Sequence, residues 1–352
     1  MTETKKFKNE ISAQTVADLA VRFGHQLPAF DVAQFRAHAT DGLDQLELKA
    51  RLKHIARAAR QAWAGPLDEL IAALPAVATA PTGLTGFAVW PLLQLIEDHG
   101  LPARDASLAA MLALTERWSA EFAIRPFLRT DPVATLALLK RWALHPNEHV
   151  RRLVSEGSRP RLPWGGRLRR FDADPNHTLP LLELLRADPS EYVRRSVANH
   201  LNDLTKSHPD RVVEVLARWQ QQDAGPETAW IVRHASRSLI KAGHRGALAL
   251  RGFAPPAVVL ESFAVSPDPL PFGAALTIEA TLRATAAEAQ RWAVDFVIHH
   301  VKASGARAPK VFKWREVRAA PGAVVQLTKQ HAIRPITTRR YYPGVHRVEV
   351  QV

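Results

Sequence analysis

The sequence predicts a mainly helical chain closed by a β domain: a HEAT-like α-solenoid over residues 1–254, then an immunoglobulin-like β-sandwich over residues 255–352. Three observations carry this reading. Apolar residues recur at helical spacing through most of the chain, a unit of ~40 residues repeats in its middle, and strict period-two alternation takes over after GFAPPA (252–257).

In the N-terminal part, Leu46, Leu52, Ile55, Ala59 and Trp63 follow the spacing of one helix face, with basic residues between them. Pro132, Pro146, Pro189, Pro209 and Pro226 fall between such segments or in their first turns, where a missing backbone N–H costs little. The repeat is visible residue by residue. HPNEHVRRLVSEG (145–157) realigns with DPSEYVRRSVANH (188–200), and more loosely with AWIVRHASRSL (229–239). Each copy follows another amphipathic segment, PVATLALLKRW, LPLLELLR or PDRVVEVLARW. Helix pairs that repeat in this way stack to bury one continuous core. Beyond residue 257, Leu276, Ile278, Ala280 and Leu282 alternate with polar neighbours, as do Trp292, Val294, Phe296 and Ile298, and the chain closes on Val348, Val350 and Val352. That pattern predicts six or seven antiparallel strands.

The chain has 352 residues and no cysteine, which excludes a disulfide framework and a thiolate zinc site. Its start, MTETKKFKNE, is polar, and no run of apolar residues is long enough to span a membrane, so the sequence predicts a cytoplasmic monomer without a membrane partner. A net charge of +13 directs attention to polyanions, nucleic acid first. The residues after 255 share the excess, with 13 Lys and Arg against 7 Asp and Glu.

Arg152, Arg195 and His234 occupy equivalent repeat positions, so a solenoid aligns them into a ladder along one face. Such a ladder matches a duplex backbone, although solvated arginines or Arg–Glu pairs would give the same pattern. From His149 to Arg170 there are seven arginines, including Arg159 and Arg161, against one acid, Glu156. The run predicts a phosphate-binding rim. Glu156 stands one turn after Arg152, and its counterparts are the neutral Asn199 and Ser238. Two explanations stay open: an i, i+4 ion pair, or a carboxylate that meets positive charge developing on a sugar. Trp164 follows in RPRLPWG, whose prolines and glycines predict a surface loop. Upstream, TERWSAEFAIRPFLR (115–129) predicts one helix that places Trp118, Glu121 and Arg125 on a shared face. Arg339 and Arg340 precede a tyrosine pair in TTRRYYPG and are candidates for phosphate or minor-groove contact, or equally for a packed turn.

EFAIRPFL (121–128) and HVRRLVSEGSRPRLPWG (149–165) resemble the AlkC branch of the AlkC and AlkD-type DNA alkylation-repair glycosylases. Helical repeats followed by an immunoglobulin-like domain are also similar to AlkC. The resemblance implies a monofunctional glycosylase that releases cationic bases, chiefly N3-methylcytosine and N3-methyladenine, from double-stranded DNA without extruding them and without a cofactor. It implies that Glu121 and Glu156 supply electrostatic and water-orienting assistance, that Trp164 packs on the deoxyribose, and that arginines led by Arg152 and Arg159 hold the backbone. Two other readings remain: a catalytically silent relative that recognises unusual DNA shape, and a HEAT scaffold for an acidic protein partner. No G-x-x-x-x-G-K-[ST] loop, H-E-x-x-H helix or G-x-S-x-G elbow is present, and the histidines show no metal-ligand spacing.

Overall fold

The architecture follows the predicted order, helices first and a β-sandwich last. The structure is a computed structural model and describes residues 7–79, 83–223, 225–336 and 339–352; the first six residues of the polar N-terminus lie outside that set. Among the described residues, sixteen α-helices precede six strands. Contacts divide the chain into two units, the first comprising residues up to His208 together with Gly225–His234, the second comprising the remainder.

In the first unit the helices pack in pairs. Leu48–Gln61 lies against Trp90–His99, Leu67–Thr79 against Arg104–Leu114, and Glu148–Gly157 against Glu191–Leu204. The last pair is the internal repeat, packed through Val150, Leu153 and Val154 on one helix and Val193, Val197 and Leu201 on the other. Its Arg-Arg doublet divides two tasks. The first arginine turns back onto the preceding loop: Arg151 Nη1 donates to the carbonyls of His145 (2.9 Å) and Pro146 (2.7 Å), and Arg194 Nη1 repeats the bond to Asp188 (2.7 Å) and Pro189 (2.8 Å). These bonds satisfy carbonyls where proline interrupts the backbone pattern. Arg151 also forks onto Asp188 through Nε (2.6 Å) and Nη2 (2.9 Å), which joins one repeat to the loop of the next. The second arginine of each doublet remains for other uses.

His200, wholly buried, fixes the same interface by donating through Nδ1 to the Ser155 carbonyl at 3.0 Å. Burial lowers its pKa to about 3, so the folded protein holds the neutral ring. The unfolded chain therefore binds more protons below the usual histidine pKa of about 6.5. Stability is at its full value above that pH and falls as the solution is acidified toward pH 3. His300 in the second unit, pushed down to about 4 by burial and by Arg339, adds a loss of the same sign. Thermal midpoints measured from pH 7.5 to 4.5 are expected to fall steadily, and His200→Gln, which can still donate to Ser155, is expected to flatten that slope; an unchanged slope would refute the assignment.

The segment 115–129 differs from the single helix predicted for it. Helix Arg104–Leu114 ends there, residues 115–124 form turns, and a new helix runs Arg125–Thr130. Pro126 is the physical reason, because inside a continuous helix its ring would meet the Phe122 carbonyl and remove a bond. Thr115 Oγ1 instead accepts the Ala120 N–H at 3.3 Å, and the new helix starts with Pro126 in its first turn.

In the second unit, β1 (Val258–Ser266), β2 (Ala275–Ala284) and β5 (Val324–Ala332) form one antiparallel sheet in the order β1-β2-β5. β3 (Gln290–Val301), β4 (Arg307–Ala319) and β6 (Arg347–Gln351) form the other, ordered β4-β3-β6. The alternating residues Leu276, Ile278, Ala280 and Leu282 and Trp292, Val294, Phe296 and Ile298 are the buried ones, as period two requires. Val348, Val350 and Val352 pack against the resulting clusters. The register shift between Val294 and Asp295 puts the extra residue, Trp314, on β4, and Asp295 and Val297 are buried too, on the opposite face of β3.

Candidate nucleic-acid interface

The predicted acids meet at one arginine. Breaking the 115–129 segment into turns brings Glu121 toward the helix that carries Arg152 and Glu156. Glu121 Oε2 accepts from Arg152 Nη1 (2.6 Å) and from the Ser119 hydroxyl (2.9 Å), while Arg152 Nη2 stands 3.5 Å from Glu156 Oε1. Burial disfavours the charge of Arg152, but Glu156 and Glu121 more than offset this and raise its pKa.

The two carboxylates differ in surroundings. Glu121 lines an open cavity of about 320 Å³ together with Trp118, Phe122, His149, Arg152 and Tyr192. Glu156 is 5% exposed and lies beneath, accepting from Arg159 Nη1 (2.6 Å) and from the Ser196 hydroxyl (2.6 Å). Arg159 is equally buried. It also forks onto Asp203, Nε at 2.9 Å and Nη2 at 3.2 Å. Two acids thus engage three of the five N–H donors of a buried guanidinium, which ties Arg159 into the scaffold.

Arg125 is also redirected. It is 1% exposed and donates to three carbonyls of the segment that follows Glu156: Gly157 (2.9 Å), Arg159 (2.8 Å) and Gly166 (2.5 Å). Burial lowers its pKa to about 10, and Arg129 and Arg159 act in the same sense. Arg129 adds a bond to Gly166 at 3.1 Å. A Cβ at Gly166 would come within 2.7 Å of Arg129 Nη2, so Arg129 would have to shift to admit one. The loop that these cations hold presents Trp164, 66% exposed and at φ +63°, a left-handed conformation that bulky residues rarely adopt.

The predicted ladder is uneven. Arg152 lies 5.0 Å from the centre of the Tyr192 ring, Arg195 is exposed and pairs with Glu191 at 2.5 Å, and His234 stacks on Trp230 and bonds Asn199 at 3.2 Å. The Arg195 pair is solvent-exposed and contributes little, which leaves that charge available to a polyanion. The arginine run is less one-sided in three dimensions than along the chain. Asp188 takes Arg151, Asp203 takes Arg159, and Asp172 takes both Arg161 (2.9 Å) and Arg167 (2.6 Å). Arg169 and Arg170 remain exposed.

Trp118 joins Phe87, Trp90 and Phe122 in an aromatic wall with ring centres 4.9 to 5.8 Å apart. Sequence reasoning missed Tyr192 and His149, whose rings meet edge to face at 5.5 Å. The repeat contained their signal, since both stand immediately before the buried valine in EHVRR and EYVRR. In the second unit, Arg339 donates to His300 Nε2 at 2.7 Å and lies over Tyr341, while Arg340 lies over Tyr342 with its residue exposed. Of the pair, Arg339 is tied into the domain's own packing.

Residues 109–239 match a family model described as the DNA alkylation repair enzyme, and residues 259–352 match the C-terminal Ig-like domain of the uncharacterised protein YhaZ. The chain is 34% identical to the uncharacterized protein YhaZ of Bacillus subtilis, over 99% of this chain and 96% of that one. It is also similar to the Pseudomonas fluorescens alkylpurine DNA glycosylase AlkC bound to DNA containing an abasic site analog. There the identity is 39% and the TM-score 0.89, covering 98% of this chain and 96% of the other.

Proposed function

The chain belongs to the AlkC branch of the DNA alkylation repair enzymes, and on that premise we propose that it hydrolyses the N-glycosidic bond of cationic N3-alkylated bases, 3-methylcytosine and 3-methyladenine, in duplex DNA. The observation that carries this reading is Glu121. It is a carboxylate kept on the wall of an open, aromatic-lined cavity within a strongly basic chain, where a negative charge weakens attraction to phosphate unless chemistry uses it.

The chemistry suits such a group. Alkylation at N3 leaves the base positive, so when the C1′–N bond breaks, the bonding pair departs with the base and neutralises it. No general acid is needed. Positive charge grows on the deoxyribose instead, and a fixed carboxylate stabilises it and orients the water that adds to C1′ and gives up a proton. Arg152 fixes Glu121 for this role, Glu156 fixes Arg152 from below, and Trp164 offers a flat apolar face to the sugar. Arg195, Arg169 and Arg170 have charge to spare for the backbone. The product is an intact abasic site and a free base, the start of base excision repair. The cavity walled by Trp118, Phe122 and Tyr192 is open to solvent, which supports attack on a base left in its stack.

Purified protein incubated with a duplex that carries one 3-methylcytosine is expected to release the free base and leave a site that alkali cleaves. A control with the undamaged duplex should show neither. Tight duplex binding without base release would overturn the proposal and favour recognition of DNA shape.

A further inference from the structure

We propose that Lys49 is a positioning residue for the site: from the Leu48–Gln61 helix, its ammonium ties the backbone of Trp164 to the ring of Phe122 and so holds the tryptophan loop against the Glu121 turn. Lys49 Nζ donates to the Trp164 carbonyl at 3.2 Å and stands 3.9 Å from the centre of the Phe122 ring and 5.7 Å from that of Trp90. It therefore touches both segments that bring the proposed catalytic groups, one residue from Glu121 on one side and at Trp164 itself on the other.

The loop needs such a tie. The indole of Trp164 is mostly exposed, so its own burial does little to fix its position, and its left-handed backbone is costly unless neighbouring groups over-determine it. Arg125 and Arg129 hold the loop at Gly166, two residues later. Lys49 reaches the strained residue directly. A cation this close to an aromatic face and a carbonyl gives up water on two sides. Burial accordingly lowers the pKa of Lys49, while Glu97 and, more weakly, Glu121 and Asp98 act in the opposite sense. Glu97, half-buried and with its pKa raised by burial, is the strongest compensating charge. The tie also gives a function to the N-terminal hundred residues, which carry none of the resemblance motifs.

This inference rests on the reading of Trp164 as a residue that meets the deoxyribose, and the test separates the two. In the full-length protein, Lys49→Met keeps the apolar stem and removes the donor; Lys49→Gln serves in its place should that variant not fold. At saturating protein, Lys49→Met is expected to slow single-turnover release of 3-methylcytosine about ten- to thirtyfold. Duplex affinity should change less than about threefold, the scale of one lost surface charge. Lys49→Arg, which keeps a cationic donor, should regain most of the rate. In a Trp164→Ala background Lys49→Met should cost nothing further, and in the wild-type background it should speed hydrogen exchange across residues 158–168. Independent losses that multiply, or unchanged exchange in that loop, would overturn the tie. Faster exchange in Lys49→Met combined with normal turnover in Trp164→Ala would uphold the tie and instead remove the role given to Trp164.

Discussion

Glu121→Gln is expected to slow base release by about two to three orders of magnitude, the loss typical when a preorganised electrostatic partner of a charged transition state is removed. Glutamine keeps the shape of the side chain and can still accept from Ser119 and Arg152, which hold Oε2 at 2.9 and 2.6 Å, so the turn should stay folded. What disappears is the negative charge on the cavity wall. Duplex affinity should hold or rise, because one repulsive charge near phosphate has gone. Glu156→Gln is expected to behave differently. Glu156 is buried, and its Oε1 faces the guanidiniums of Arg159 and Arg152; glutamine would leave those two buried charges against a neutral amide. That variant should lose turnover and melt earlier. Single-turnover rates, duplex affinities and melting curves for the two variants check the distinction, and normal turnover in Glu121→Gln would refute the proposed chemistry.

The largest effect on stability is expected at Arg125. Arg125→Ala removes a side chain that is 1% exposed, takes this donor from the carbonyls of Gly157 and Arg159, and leaves Gly166 reliant on Arg129. Breaking a buried charged network of this kind costs about 3 to 5 kcal/mol. Lysine would not restore it, since one ammonium cannot reproduce the fork that spans three carbonyls. Urea unfolding should show the loss in both Arg125→Ala and Arg125→Lys. The residual folded protein should release base slowly, because the loop carrying Trp164 has lost its main anchor. A wild-type unfolding curve for Arg125→Lys would show that the fork is dispensable.

Much of the fold was legible because it is written in period and repetition. The doublets at Arg151–Arg152 and Arg194–Arg195 marked two equivalent helices, and the alternation through Leu276–Leu282 marked a strand that the structure pairs as expected. What the sequence could not disclose is long-range pairing. A helix-like spacing around Trp118, Glu121 and Arg125 concealed a turn, since the deciding influences are Pro126 and carbonyls more than thirty residues away. The arginine run looked unopposed because two of its acids, Asp188 and Asp203, come from the following repeat, and a third, Asp172, stands just past its end. Of the two pairs that meet at Arg152, the i, i+4 pair with Glu156 was readable from spacing, whereas the pair with Glu121 crosses between elements and was hidden. Lys49 had no sequence signal: nothing in LELKARLKH distinguishes it from other lysines on a basic helix.

The doublet has a further implication. Because Arg151 and Arg194 staple each inter-helix loop to its own helix, the neighbouring site is relieved of structural duty and can drift. Drift is what the three copies display there, with Arg152 recruited into the acid cluster, Arg195 left at the surface and His234 laid on a tryptophan. A solenoid built in this way can retune its grip on a ligand one rung at a time, swapping charge for ring or amide, while staples such as Arg151 and Arg194 hold the loops in place.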